Sequence, residues 1–158
     1  MEDLRDKKVL VVGLAKSGLA TAEFLVSRGA RVTVTDHLSA SELGSTADSA
    51  ERLGCSLALA GHPVEVFTQA DLIVVSPGVP LDLPELREAQ SRSISIMGEL
   101  ELASRFLQLP VVAISGTNGK TTTTALVGDM LKHSGKRVFV GGNIGNPLIT
   151  LIKEKEPF

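Results

Sequence analysis

Val9-Leu10-Val11-Val12-Gly13-Leu14-Ala15-Lys16-Ser17-Gly18 decides the fold class. Four consecutive apolar residues, three of them β-branched, predict a strand buried on both faces, as strands of parallel sheets are. A glycine follows at once, then a short mixed run, then an apolar helical pattern over 17–27. Strand, tight turn and helix in that order open a crossover unit. The alternation continues outward. Strands are expected at 9–12, 31–35, 56–59, 72–75, 93–96, 111–115 and 138–140, and helices at 17–27, 47–53, 84–91, 98–107, 120–133 and 147–155. Gly29, Gly54 and Gly135 fall where helices would end in left-handed caps. The expectation is an α/β chain built on parallel sheet, covered by helices on both faces.

Two sheets are expected rather than one. Residues 1–97 make a complete small α/β unit of the Rossmann-like kind, and 98–109 form a connecting helix and linker. Leu109-Pro110 interrupts the pattern, because proline disfavours helix at the residue before it. Residues 110–158 then read as the beginning of a second, P-loop-type α/β domain. That second unit has only two strand candidates and two helices, which is little core for an autonomous domain. The chain stops at Lys153-Glu154-Lys155-Glu156-Pro157-Phe158 without a glycine cap or a further strand, so a fragment is expected. No internal repeat or low-complexity segment stands out.

Composition excludes several function classes. Of the 158 residues, 43% are hydrophobic and 22% charged, ordinary for a globular protein, while aromatics are 3% with no Trp or Tyr. So few aromatics argue against a stacking platform for single-stranded nucleic acid. The net charge is −2 and the basic residues are scattered, so no patch invites duplex DNA or an anionic membrane. The single Cys55 cannot make an internal disulfide, which fits a reducing compartment and the cytoplasm. With no activating neighbour in view, it reads as a small core residue rather than a nucleophile. Met1 to Lys8 lack the apolar core of a signal peptide, and no apolar run approaches the roughly 20 residues that span a bilayer. A monomer is expected.

The first glycine turn, Gly13-Leu14-Ala15-Lys16-Ser17-Gly18, is close to the dinucleotide-binding fingerprint, with Ala15 where the middle glycine usually sits. Gly13 permits the tight turn, Gly18 lets helix and strand approach, and the helix start offers free N–H groups to a phosphate. Asp36 follows the second strand, where an acidic side chain normally accepts hydrogen bonds from a ribose or a base. The competing reading is a packing turn that binds nothing. Lys16 is then either a phosphate partner or a solvated loop lysine. His37 is a possible ligand contact; His62 and His133 read as surface or capping residues.

The second glycine turn carries the stronger signal. Val111-Val112-Ala113-Ile114-Ser115 leads into Gly116-Thr117-Asn118-Gly119-Lys120-Thr121-Thr122. A phosphate loop needs small residues so that successive amides turn inward. It also needs a lysine for the β and γ phosphates and a hydroxyl for Mg²⁺. Gly119, Lys120 and Thr121 supply these in order. Ile114 occupies the first glycine position of the general pattern, so the loop is a variant, with Gly116 closer in. Downstream, Asp129, Glu154 and Glu156 are the acidic residues and none follows a strand, so the second metal-holding carboxylate that phosphoryl transfer needs is not found.

Gly116-Thr117-Asn118-Gly119-Lys120-Thr121 resembles the loop of the Mur ligases and folylpolyglutamate synthetases, which use ATP to activate a carboxylate and join it to an amino acid. Three further segments carry the likeness toward the Mur ligase family: Ser76-Pro77-Gly78-Val79-Pro80, Met97-Gly98-Glu99-Leu100-Glu101-Leu102, and Gly141-Gly142-Asn143-Ile144-Gly145-Asn146-Pro147. The resemblance runs from about Lys8 to the end. It implies the branch that adds D-glutamate to UDP-N-acetylmuramoyl-L-alanine in cytoplasmic peptidoglycan precursor synthesis, with ATP and Mg²⁺. On that reading the first unit holds the UDP part of the substrate around Gly13, Leu14, Ala15, Lys16, Ser17 and Gly18. Lys16 and Ser17 face the diphosphate, and Asp36 and His37 the uracil side. Gly78 and Asn143 line the substrate path, though Ser76-Pro77-Gly78 alone reads as a turn and Asn143 as a residue tolerant of left-handed backbone. The loop Gly116, Thr117, Asn118, Gly119, Lys120, Thr121 and Thr122 holds the ATP phosphates, with Lys120 catalytic and Thr121 on the metal. The family's other metal ligands and its C-terminal domain fall beyond Phe158. Two rivals stand beside it: an NAD-dependent oxidoreductase domain, and a non-catalytic nucleotide-binding module.

Overall fold

The computed structural model describes residues 3–142 and 145–153. In chain order the elements are β1 (Lys8–Val12), α1 (Lys16–Ser27), β2 (Arg31–Thr35), α2 (Ala40–Leu43), α3 (Ser45–Arg52), β3 (Ser56–Ala58), α4 (Val64–Thr68), β4 (Leu72–Val75), α5 (Pro84–Ser91), β5 (Ser95–Gly98), α6 (Glu99–Phe106) and α7 (Lys120–His133). A 3₁₀ helix, Leu148–Lys153, follows.

The five strands form one parallel sheet in the order β3-β2-β1-β4-β5. The chain winds outward from β1 in one direction as far as β3, then returns to the other side for β4 and β5. The order therefore reverses between β1 and β4, and loops after those two strands diverge to leave a crevice at their C-terminal ends. All four residues of β4 and four of the five of β1 are buried, as strands with helices on both faces must be.

One face of the sheet packs Val9, Val11, Val32, Val34, Leu72 and Val74 against Ala22, Phe24 and Leu25 of α1 and Leu102 and Ala103 of α6. The alternate residues Leu10, Val12, Ile73 and Val75 point the other way, onto Phe67, Leu86 and Ala89. The period-2 split of consecutive apolar residues is what a sheet buried on both faces requires. Cys55 lies in the first of these clusters, and burial pushes its thiol up from the usual range, consistent with a core role.

Several expectations need correction. Residues 111–115 and 138–140 are not strands. Val111 and Val112 are 61% and 65% exposed, because among the described residues no strand runs beside them and an unpaired strand satisfies neither its amides nor its apolar side chains. The helix expected over 147–155 is the 3₁₀ segment, with residues 154 and 155 outside the described range. β5 starts two residues later than expected because Ser93 takes a left-handed φ of 60° after α5, which no strand residue can. α2 and α4 were not anticipated. For α2 the signal was present: Ser39 and Glu42 form a reciprocal capping box. Gly29, Gly54 and Gly135 all take positive φ, +81°, +85° and +81°, after their helices.

Candidate functional site

The first glycine turn sits at the reversal point, between the ends of β1, β2 and β4. Its shape is fixed by backbone contacts. The Gly13 amide donates to Thr35 O at 2.8 Å, and Ser76, just past β4, donates its hydroxyl to Gly13 O at 3.0 Å. Gly13 has φ +91°, and a Cβ there would lie 2.8 Å from Val79 Cγ2. At Gly18 a Cβ would lie 1.9 Å from Gly13 O, a backbone atom that cannot step aside. Both glycines are therefore required for the strand end and helix start to meet. Ala15, in place of the middle glycine, has φ −92° and ψ −167°, extended backbone that any residue adopts, and it is exposed.

Beyond the turn, the amides of Lys16, Ser17 and Gly18 donate to no other described residue; the first helical donation here is Leu19 N to Ala15 O at 3.0 Å. No acidic residue and no side-chain cap occupies this start. The three amides and the partial positive charge of the helix end make a place for an anion. Lys16 stands on its rim, exposed, with Nζ donating to Asn146 Oδ1 at 3.1 Å and Gly145 O at 3.3 Å. An ammonium has three donors, so one is left over.

Asp36 does not point to an open ligand position. It is 6% exposed, and Oδ2 accepts the Leu14 amide at 2.6 Å while Oδ1 accepts the Leu38 amide at 3.0 Å. Its carboxylate ties the glycine turn to the end of β2. His37 is exposed, with Nδ1 3.1 Å from Asp36 Oδ1. His62, expected at the surface or as a cap, instead lies half-buried with Nδ1 3.1 Å from Thr35 Oγ1 and its ring edge-on to Phe67. The position of Gly61-His62-Pro63 after β3, at the sheet end that carries the turns, was the signal for it. His133 caps as expected, its Nδ1 2.8 Å from Asp129 O near the end of α7.

Ser76-Pro77-Gly78-Val79 closes with Val79 N donating to Ser76 O at 3.2 Å, and Gly78 has φ +93°. Proline second and a positive-φ glycine third match a type II turn. Gly78 thus faces the reversal point from β4. The Ser76 hydroxyl, to which the sequence pattern gives no site role, is what locks the two turns together. Asn143 lies outside the described residues; its neighbours Gly142 and Asn146 close the loop, with Gly142 N donating to Asn146 O at 2.9 Å.

The second glycine turn has no strand before it but keeps the helix after it. Gly119 is left-handed (φ +74°, ψ −2°) and caps α7, which begins at Lys120. The amides from Gly116 to Thr122 donate to no other described residue. Lys120 folds back over the loop, donating Nζ to Gly116 O and, at 3.2 Å, to Thr117 O. Thr117, Asn118, Thr121 and Thr122 are exposed around it. The loop presents free amides and an ammonium, groups that could hold a polyphosphate. Its hydroxyls, that of Thr121 among them, are side-chain oxygens it could turn to Mg²⁺, and among the described residues no group of three His, Cys, Asp or Glu could hold a metal ion.

Comparison with known proteins follows the same outline. A family model described as Mur ligase MurD-like, N-terminal domain, matches residues 7–98. A protein of Desulfosudis oleivorans named UDP-N-acetylmuramoylalanine–D-glutamate ligase is 58% identical over 147 residues, covering 93% of this chain and 32% of the relative. One of the same name from Pelobacter propionicus is 56% identical over 155 residues, covering 98% and 35%. The chain thus spans about a third of the length of these curated relatives. Among solved structures, a pseudomurein peptide ligase type C from Methanothermus fervidus superposes with a TM-score of 0.55 at 31% identity, over 82% of this chain and 27% of that one. A UDP-N-acetylmuramate-alanine ligase from Thermotoga maritima gives 0.54 at 29% identity, over 86% and 32%.

Proposed function

This chain belongs to the Mur ligase MurD-like family through its N-terminal domain, and from that membership we propose that it is the N-terminal part of an ATP-dependent ligase adding D-glutamate to UDP-N-acetylmuramoyl-L-alanine. Residues 1–97 form the UDP-substrate domain, 98–109 the connection, and 110–158 the start of the ATP-binding domain. Cytoplasmic peptidoglycan precursor synthesis is the setting.

The observation that carries the reading is the state of Asp36. In a dinucleotide-binding turn the equivalent acid accepts ribose hydroxyls. Here both of its oxygens already accept main-chain amides, of Leu14 and Leu38. What remains open is the start of α1 beside Lys16, where a diphosphate can lie on the amides of Lys16, Ser17 and Gly18; NAD carries a diphosphate too, so it is the engagement of Asp36 that weighs against NAD. His37 and the backbone after β2 then lie on the uracil side, and Gly78 and Asn143 along the path toward the second loop.

At that second loop, the amides of residues 116–122, the Lys120 ammonium and the Thr121 hydroxyl would hold the phosphates of ATP and its Mg²⁺. ATP, when bound, supplies the phosphoryl group that turns the substrate carboxylate into an acyl phosphate for attack by the amine of D-glutamate. Lys120 would offset charge developing on the transferred group, an effect typically worth 10²- to 10³-fold, by order of magnitude, when one such donor is removed. The remaining metal ligands would come from further along the full-length enzyme.

In the full-length ligase, ADP release is expected to require both UDP-N-acetylmuramoyl-L-alanine and D-glutamate. Lys120→Ala should lower kcat by about 10²- to 10³-fold. Turnover without the uridine substrate, or a Lys120→Ala enzyme at near-normal rate, would remove this assignment.

A further inference from the structure

Glu99 is the most buried charged side chain among the described residues, 1% exposed, and nothing in the chemistry proposed above uses it. It follows β5 directly and opens α6. No cation pairs with it among the described residues. Instead Oε1 accepts the amide of Ile149 at 2.8 Å across 50 positions of sequence. Oε2 is buried with no hydrogen-bond partner. A buried carboxylate with one oxygen left bare is costly, and its retention calls for a role.

What it holds is the segment after the glycine loop. Ile149 is fully buried in the core cluster between α1 and α6, with Leu148 and Ile152 packed beside it. Thr150 returns its amide and its hydroxyl to Pro147 O, at 3.1 and 2.7 Å. Pro147 has a fixed φ and passes this rigidity back to Asn146. Asn146 and Gly145 in turn accept from Lys16. A continuous set of contacts therefore runs from Glu99 through Ile149 and Pro147 to the rim of the first glycine turn.

We propose that Glu99 is a positioning residue, whose carboxylate seats the Leu148–Lys153 helix on the sheet domain and thereby sets Gly145, Asn146 and, through them, Lys16 at the diphosphate position. This rests on the uridine-diphosphate reading for the ligand, while the seating itself does not. Burial raises the Glu99 carboxyl above its ordinary range. The seating contact is a single oxygen accepting a main-chain amide, and the side-chain oxygen of Gln can accept it in the same way. Gln should therefore replace it and Ala should not.

The test pairs amide hydrogen exchange with calorimetric titration of UDP-N-acetylmuramoyl-L-alanine on the 158-residue chain. In Glu99→Ala, exchange over 148–152 is expected to quicken at least tenfold and affinity to fall about tenfold, with exchange in β1 and β4 unchanged. Glu99→Gln should restore both to within about twofold. If Glu99→Ala does not fold, Glu99→Asp, which withdraws the carboxylate by one methylene, is read in the same two ways. Unchanged exchange over 148–152 overturns the seating. Faster exchange with unchanged affinity overturns the positioning role. A wild-type chain that ignores the uridine ligand sinks the diphosphate reading and the positioning role with it, while the exchange comparison still decides the seating.

Discussion

Asp36 illustrates how one side chain can satisfy a sequence pattern and serve another purpose. It stands where a ribose-binding acid stands in the dinucleotide pattern, yet its oxygens are engaged by Leu14 and Leu38 amides at 2.6 and 3.0 Å. Converting it to Asn turns one of those acceptors into an N–H facing an N–H. Asp36→Asn is therefore expected to cost about 1–3 kcal/mol of stability, read as a fall in the urea midpoint without ligand present. An unchanged midpoint would mean that the carboxylate is dispensable to the turn and free for a ligand after all. Gly18 makes the complementary point. Its role, keeping Gly13 O within van der Waals reach, was legible from the spacing of the two glycines alone. The Ser76 hydroxyl was not, because its partner is 63 residues away.

At the scale of elements, β1 and β4 were legible as apolar runs and β2 by its alternating valines, with Gly29 and Gly54 ending the helices before β2 and β3. β2 and β4 match their expected bounds. The short α4 begins after Pro63 and spans five residues, too few for a helical period to show. The two strands expected in the second unit fail for a different reason. A run such as Val111-Val112-Ala113-Ile114 has strand propensity, but propensity is expressed only against a neighbour that pairs its backbone and covers its side chains. α7 needs no such neighbour for its hydrogen bonds, and it forms over the expected residues 120–133, although Leu126 and Met130 stay about 60% exposed. Hydrogen exchange checks this division. Amides of β1 and β4 should exchange only through global unfolding, whereas those of 111–115 should exchange within about tenfold of free-peptide rates. Strong protection over 111–115 would show that the segment finds a strand partner.

For the molecule as a whole, the reversal of strand order between β1 and β4 gathers the contacts that matter. The ends of three strands, the start of α1, the Ser76 turn and the loop bearing Gly145 and Asn146 converge there, although they come from distant parts of the chain. None of the described helices is long and apolar enough to cross a membrane. One surface groove lies between α4 and α5 and another along the opposite ends of β1 to β3, while at the glycine turn Ala15 and Lys16 form an exposed ledge. A ledge of amides with one lysine binds through charge and hydrogen bonds, and its selectivity depends on which nucleotide fits beside an acid already in use. Calorimetric titration of the 158-residue chain with UDP-N-acetylmuramoyl-L-alanine and, separately, with NAD tests that most directly. The expected result is saturable one-site binding of the uridine ligand and none of NAD at the same concentrations. Saturable NAD binding with no heat from the uridine ligand would contradict the account.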